Sequence, residues 1–318
     1  MNLENLRQLA DTIGHEISKA VYGQSHIVDL LLVSLFARGH CLLEGPPGTA
    51  KTLLAQSLAT ALDMDFKRIQ FTPDLMPGDV IGTNLFDFKT STFNLIKGPV
   101  FTDILLADEI NRAPPKTQSA LLQVMNERKI TIDGADYSAG ELFFVIATQN
   151  PIESQGTYPL PEAQLDRFLF KLPLEFPARD DEFTILQRHA RQALDHDARR
   201  APIEQVAALK DIAAGQDLVD GILLDDKILN YVLDLVRATR EDIGLTHGAS
   251  TRAADALCGA VRAAAALDGR DYAIPDDVKR LFVPAIAHRL VVSSTAEIEG
   301  RTAVDILDAI QNQVAAPR

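Results

Sequence analysis

Apolar positions along the chain fall into three textures. Over residues 1–35 they recur at helical spacing, and Gly23 breaks the run. From His40 to about Leu174 short apolar runs take over, at Cys41–Leu43, Phe66–Phe71, Ile104–Ala107, Leu142–Ala147 and Phe168–Leu172, with helix-like segments among them. Strands that are apolar on both faces and alternate with helices predict a parallel five-stranded sheet flanked by helices. After Pro177 the strand texture does not return, and residues 181–194, 202–213, 225–240, 250–267 and 275–290 read as helices. In the third of these, Ile228, Tyr231, Val232, Leu235 and Val236 form the stripe of an amphipathic helix. Ser250 suits the N-cap of the fourth, and Pro275 suits the first turn of the fifth. The pattern therefore predicts an α/β domain over residues 1–178 and an all-helical domain over 179–318.

Composition narrows the class. A chain of 318 residues, 47% hydrophobic, can build a sizeable core without disulfides or structural metal. Cys41 and Cys258 lie far apart and match no ligand spacing, so they read as thiols in a reducing compartment. The apolar stretch Leu30–Ala37 is far shorter than the ~20 residues of a membrane span, and no basic-then-apolar leader precedes it. The expected location is the cytoplasm. A formal net charge of −13 argues against broad adhesion to nucleic acid, so any site for an anion must be built locally.

Candidate chemistry lies in the α/β part. Gly45-Pro-Pro-Gly-Thr-Ala-Lys-Thr52 follows an apolar strand and precedes a helix, the setting of a phosphate-binding loop. Backbone N–H groups of Gly45, Pro46 to Ala50 (the prolines Pro46 and Pro47 excepted), Lys51, Thr52 and Leu53 would surround a β-phosphate, with Gly48 and Thr49 at the bend. Lys51 would reach the β/γ oxygens, and the Thr52 hydroxyl would ligate Mg²⁺. Ala50 stands where a glycine usually precedes the lysine, and is expected in helical φ/ψ, which alanine tolerates. Ile104-Leu-Leu-Ala-Asp108-Glu109 puts two carboxylates at the carboxyl end of a strand, Asp108 for the metal and Glu109 to polarise water. Taken alone, that pair reads equally as a solvated strand end. Phe143–Asn150 is a buried strand ending in an amide that can orient water, although Asn150-Pro151 is also a turn signal. Arg167 directly precedes an edge strand. Arg252 occupies the first turn of a helix, where a cation opposes the macrodipole, so that something other than helix stability favours it; a surface ion pair is the plain alternative for both arginines.

Together these motifs resemble the AAA+ superfamily, and more closely its MoxR family. The marks are the 45–52 loop, Arg68-Ile-Gln-Phe-Thr-Pro-Asp-Leu-Met-Pro77, Ala107-Asp-Glu-Ile-Asn-Arg-Ala113, Ala147-Thr-Gln-Asn-Pro151, Glu162-Ala-Gln-Leu-Asp-Arg-Phe168 and His288-Arg-Leu290. The resemblance implies an AAA+ P-loop core with a helical lid, ATP and Mg²⁺ as ligands, Asn150 as sensor 1, Arg167 as a finger acting on a neighbouring subunit and Arg252 as sensor 2. It implies that Val21-Tyr-Gly-Gln24, and so Gly23 and Gln24, pack near adenine. It also implies two excursions, a helix-2 insert over Gly82–Pro99 with Thr90-Ser-Thr92 near its tip, and a hairpin from Lys129 to Gly134 and Tyr137 to Glu141, turning at Asp-Gly. No aromatic–hydrophobic–glycine pore motif of the unfoldase kind is present.

The implied function is ATP hydrolysis by a homo-oligomer, a hexameric ring, that remodels or matures a protein partner. A von Willebrand factor A partner would be a separate polypeptide, since this chain has no Asp-x-Ser-x-Ser motif. A DNA-acting motor and a nucleotide-gated scaffold are the competing readings. The acidic balance weighs against the first, and the presence of Glu109, Asn150 and Arg167 together weighs against the second.

Overall fold

The computed structural model describes residues 1–140, 142–151, 156–192 and 203–317. Two helices open the chain, α1 (Leu3–Ser18) and α2 (Ser25–Phe36), and Gly23 with φ +72° turns between them. The α/β part then runs β1 (Cys41–Glu44), α3 (Lys51–Ala61), β2 (Phe66–Gln70), α4 (Pro77–Ile81), β3 (Gly82–Asp87), β4 (Thr92–Lys97), β5 (Ile104–Asp108), α5 (Pro115–Glu127), β6 (Lys129–Ile132), β7 (Ala135–Ser138), β8 (Phe144–Gln149), α6 (Glu162–Leu165) and β9 (Phe170–Pro173).

The main sheet has the order β2-β5-β8-β1-β9 with every pairing parallel. Burial follows that order. β5 and β8 are interior strands and almost wholly buried, whereas β2 and β9 at the edges are partly open. Alternate residues serve the two faces. Cys41, Leu43, Ile104, Leu106, Phe144 and Ile146 join α1, α2 and α3 in one apolar cluster. Leu42, Leu105, Ala107, Val145 and Ala147 join Leu121, Leu122, Val124 and Met125 of α5 in the other.

Two antiparallel ribbons leave this body. β3 pairs with β4 from Gly82↔Lys97 to Asp87↔Thr92, and β6 pairs with β7 around Asp133-Gly134. Both turn residues have positive φ, +50° and +82°, as a two-residue turn that follows the strand twist requires. Glu141, expected at the end of the second ribbon, lies outside the described residues.

The C-terminal part comprises α7 (Arg179–Gln192), α8 (Leu209–Asp220), α9 (Asp226–Glu241), β10 (Leu245–His247), α10 (Thr251–Leu267), α11 (Pro275–Ile286), β11 (Val291–Val292), α12 (Ser294–Ile298) and α13 (Ala303–Gln313). The predicted stripe of α9 is buried at all five positions, and the Ser250 hydroxyl accepts from Ala253 N–H as the cap of α10. Three expectations need correction. Residues 203–208 are not helical, because Val206 and Ala207 give their N–H groups to Ala61 O, and the helix begins only at Leu209. That helix then runs on to Asp220 through Gly215, which lies so close to the Phe36 ring that a Cβ would not fit. The segment 275–290 is helical only to Ile286 and ends in a 3₁₀ turn, Ala287–Arg289. Strand structure also returns, since β10 pairs with β11, but these segments are too short for an alternating pattern to register.

The helical part shares a core with the sheet. Ala260, Ala263, Ala264, Ala265 and Ala266 of α10 are fully buried, and their small side chains let α10 lie close to α11 and also to α1 and α2. One continuous cluster therefore runs from β1 and α3 into α11. Among the described residues no helix is long and apolar enough to cross a membrane.

Candidate functional site

The 45–52 loop joins the carboxyl end of β1 to the first turn of α3. Gly45 is required by crowding, as a Cβ there would stand 2.5 Å from Leu174 O. Gly48 has φ +88°. Ala50 corrects the expectation of helical geometry, since it is left-handed with φ +63° and ψ +21° and its carbonyl accepts from Leu54 N–H. A non-glycine residue in that region costs roughly 1–2 kcal/mol, so the surrounding loop must hold it there.

Lys51 folds back over the loop. Its Nζ donates to Gly45 O at 2.8 Å, Pro46 O at 2.7 Å and Thr49 Oγ1 at 3.3 Å. Burial pulls its pKa down, while Asp108 and Glu109 push the other way, so the ammonium lies within electrostatic reach of both carboxylates. The first N–H groups of α3 lack intrahelical acceptors, and the first turn carries no acidic residue to compete for them. Loop and helix start together present backbone N–H groups and an ammonium, donors of the kind that can hold an anion.

The carboxylates sit on the same edge of the sheet. Asp108 is buried, accepting from Thr148 Oγ1 at 2.6 Å through Oδ1 and from Arg68 Nη2 at 2.6 Å through Oδ2. Glu109 has φ +54°, and its N–H donates to Thr148 Oγ1. Its Oε2 takes Gln70 Nε2 at 2.6 Å and Arg112 Nη1 at 3.0 Å, so the carboxylate is aimed by two donors from different elements. Asn150 follows β8 and is buried, and Gln149 O accepts the N–H of Gly45 at 3.2 Å, which ties the end of β8 to the start of the loop. Asn150 lines a cavity of about 420 Å³ with Asn111, Gln149 and Leu160.

A larger hollow of about 950 Å³ opens beside the loop. Its walls include Gly48, Thr49, Ala50 and Leu53, then Val21, Tyr22 and Gln24 from the α1–α2 link, and Ile185 and Arg188 from α7. Gly23 is pressed against Asp181 of α7, where a Cβ would stand 2.7 Å from Oδ2, and Gln24 Nε2 donates to Glu175 O at 3.0 Å. Arg188 donates to Lys19 O and to the Tyr22 hydroxyl, fixing α7 over the hollow.

The structure thus brings Lys51, Thr52, Asp108, Glu109 and Asn150 to one sheet edge. Arg167 and Arg252 are gathered elsewhere, against α5. Half-buried Arg167 donates from Nη1 to Leu122 O at 2.8 Å. Exposed Arg252 donates to Asn126 Oδ1 at 3.0 Å and faces Asp166 Oδ2 at 3.6 Å. Sequence reasoning assigned no role to Arg68, Gln70, Thr148 or Arg112, which hold the carboxylates, or to Arg188. Strand alternation alone could have flagged Arg68 and Gln70, since both point to the same face of β2 and that strand's carboxyl end neighbours Asp108.

Comparison with known proteins agrees with this geometry. Residues 40–170 match the ATPase family associated with various cellular activities (AAA), and residues 237–310 match the AAA lid domain. The chain is similar to Chaperone MoxR1 of Mycobacterium tuberculosis, 39% identical over 95% of this chain and 81% of that protein. It is 31% identical to Protein MoxR of Methylorubrum extorquens, over 99% of this chain and 97% of the other. A crystal structure of a Cytophaga hutchinsonii protein assigned as an ATPase superposes with a TM-score of 0.90 at 36% identity, covering 99% of this chain and 97% of that one.

Proposed function

The chain belongs to the MoxR family of AAA+ ATPases, and on that footing we propose that it binds ATP between the 45–52 loop and the α1–α2 link, hydrolyses it with Mg²⁺, and uses the turnover in an oligomer to remodel a protein partner. The observation that carries this reading is the convergence of Lys51, Asp108 and Glu109 on one sheet edge, close enough for both carboxylates to oppose the fall in the lysine pKa.

In this reading the α3 N–H groups and Lys51 take the β- and γ-phosphates, with Lys51 exchanging its contacts to Gly45 O and Pro46 O for phosphate oxygens. The hollow beside Val21, Tyr22 and Gln24 receives the base and ribose. Glu109, held by Gln70 and Arg112, accepts the proton of the attacking water. Asn150 orients that water from the neighbouring strand. Thr52 and Asp108 offer hard oxygen donors, those of Asp108 now taken by Thr148 and Arg68. That donor set fits Mg²⁺, which takes one or two protein oxygens and completes its shell with phosphates and water. When bound, the ion would neutralise charge across the β- and γ-oxygens.

Arg167 completes the site of the next subunit. Arg252, bonded to Asn126 and facing Asp166, is assigned to supporting that finger rather than to contacting nucleotide in its own subunit. The β3–β4 ribbon is the surface proposed for the partner. Phe88 is 88% exposed and Phe93 70% exposed, and Phe86 stacks edge-on to both with centroids 5.1 Å away. An apolar cluster of that kind on a projecting ribbon marks an interaction site, and the chaperone among the relatives supports a protein as what it meets. The test is ATP turnover with Mg²⁺ or with EDTA, measured alongside sedimentation. Turnover that needs Mg²⁺ and rises with assembly supports the proposal; nucleotide-independent behaviour of a stable monomer counts against it.

A further inference from the structure

The 3₁₀ turn after α11 reaches out of the lid and grips the peptide that carries Arg167. Arg289 is 4% exposed in its side chain. Its Nε donates to Asp166 Oδ1 at 2.7 Å, and its Nη2 donates to Asp166 O at 3.1 Å and Phe168 O at 2.9 Å. Its Nη1 donates to Ala285 O, back in α11. His288 Nε2 lies 3.0 Å from the same Phe168 O. Burial holds the His288 pKa at about 3, so the ring is neutral at pH 7 and that nitrogen carries the hydrogen it donates. Two consecutive side chains of the lid therefore hold both carbonyls flanking Arg167, together with the carboxylate just before it.

Mere docking of the lid would not call for this arrangement. Burying a guanidinium carries a large desolvation cost, and an apolar residue of similar size generally docks at least as well. What a planar fork with several acceptors adds is geometry, since it fixes direction as well as distance. The direction fixed here is that of residues 166–168. The helix from which the turn descends, α11, packs on β9 as well as on α10 and α13, so the turn joins the lid to the strand that follows Arg167.

We propose that Arg289, with His288, is a positioning element for Arg167, so that the attitude of the lid sets how the finger addresses the neighbouring subunit. This rests on the reading of Arg167 as a shared-site residue. It predicts a defect that resides in the finger of the mutated subunit and leaves that subunit's own nucleotide pocket intact.

The experiment is a double-mutant cycle in the full-length oligomer, with folding checked by thermal melting. Arg289→Lys should lower kcat about tenfold while KM for ATP stays within about twofold, the split expected when an interaction made only in the transition state is weakened. The double variant Arg167→Ala/Arg289→Lys should be no slower than Arg167→Ala alone, since the two substitutions act through one group. Mixing Arg289→Lys with Lys51→Ala should restore turnover, as an intact loop can then meet an intact finger. His288→Leu should repeat the kcat defect and His288→Gln, which keeps an N–H donor, should relieve it, so the idea stays testable if the arginine variant misfolds. A rise in KM, or losses that add in the double variant, would reduce Arg289 to a structural joint and overturn the inference. If Arg167→Ala is itself fully active, the shared-site reading fails and this inference goes with it; if Arg167→Ala is impaired but Arg289→Lys and His288→Leu have normal kcat, only the inference fails.

Discussion

The carboxyl edge of the main sheet and the β3–β4 ribbon are both built from strands, yet they treat their side chains in opposite ways. At the sheet edge, polar groups are gathered over a buried apolar layer and held by named partners, such as Asp108 by Thr148 and Arg68, and Glu109 by Gln70 and Arg112. On the ribbon, apolar groups stand in solvent, with Phe86, Phe88, Phe93, Leu85 and Ile96 all exposed. Only the base of the ribbon is tied down, by Asn84 donating to Asp133 of the β6–β7 turn at 2.8 Å. The first region is organised before anything binds, as electrostatic stabilisation of a reaction requires. The second has a surface that a monomer in water gains nothing by displaying, and it gains free energy only when something covers it. The proposed chemistry and the proposed partner surface thus lie on different elements, and the proposal expects each to be broken without the other.

The largest effect belongs to the sheet edge. Lys51→Ala removes the one loop cation that can reach the β/γ oxygens, and ATP turnover should be abolished while the fold persists; a phosphate-release assay checks this, and full activity would remove the phosphate-loop assignment. Next comes acid sensitivity of the buried sheet. His40 accepts from Val145 N–H at 3.1 Å and meets Met125 O at 3.2 Å, fully buried, with its pKa lowered from 6.5 to about 4. The unfolded chain takes up this proton first, so the stability it confers is complete above about pH 6.5 and is lost as pH falls toward 4. From pH 7 to pH 5 this one residue should cost about 2 kcal/mol, read as a fall in the urea midpoint that His40→Gln flattens.

The ribbon should respond differently. Replacing Phe86, Phe88 and Phe93 together by Ser should leave basal turnover and melting temperature almost unchanged, yet weaken binding of a heat-unfolded test protein by roughly tenfold. Equal loss in both assays would mean that the two regions are not separable. The smallest effect is expected at Ala50. Relief of its left-handed strain, partly offset by glycine's greater freedom in the unfolded chain, should make Ala50→Gly more stable by at most about 1 kcal/mol, with turnover retained.

Much of the organised region could be read from the chain itself. The apolar runs at Cys41–Leu43 and before Asp108 and Asn150, a glycine loop before Lys51 and the turn at Asp133-Gly134 are local signals, and the strands and turn formed where local chemistry dictated. What escaped was set by tertiary contact. Residues 203–208 stay out of the helix because Ala61 O captures the N–H groups of Val206 and Ala207, and Ala50 is left-handed because the loop closes that way. Neither is visible in propensity. Arg68, Thr148 and Gln70, which hold Asp108 and Glu109 alongside the neighbouring Arg112, lie about 40 residues away on other strands, so no short window of sequence contains them together with the carboxylates. Arg252 drew attention as a cation at a helix start, but only the fold reveals that it meets Asn126 and Asp166. The exposure of Phe86, Phe88 and Phe93 was not legible either, because an apolar residue does not announce which side of a two-stranded ribbon will remain uncovered.

The central claim is that the sheet edge is a hydrolytic site in which the 45–52 loop binds and Glu109 activates water. Glu109→Gln separates those two roles most directly, since the amide keeps the size of the side chain and loses its basicity. Titration with ATP by calorimetry, followed by single-turnover hydrolysis on the same sample, measures both. The account predicts ATP affinity within about threefold of the unmodified chain and hydrolysis slowed by about 10²-fold or more. Hydrolysis at the unmodified rate, or loss of ATP binding in a folded Glu109→Gln chain, would contradict it.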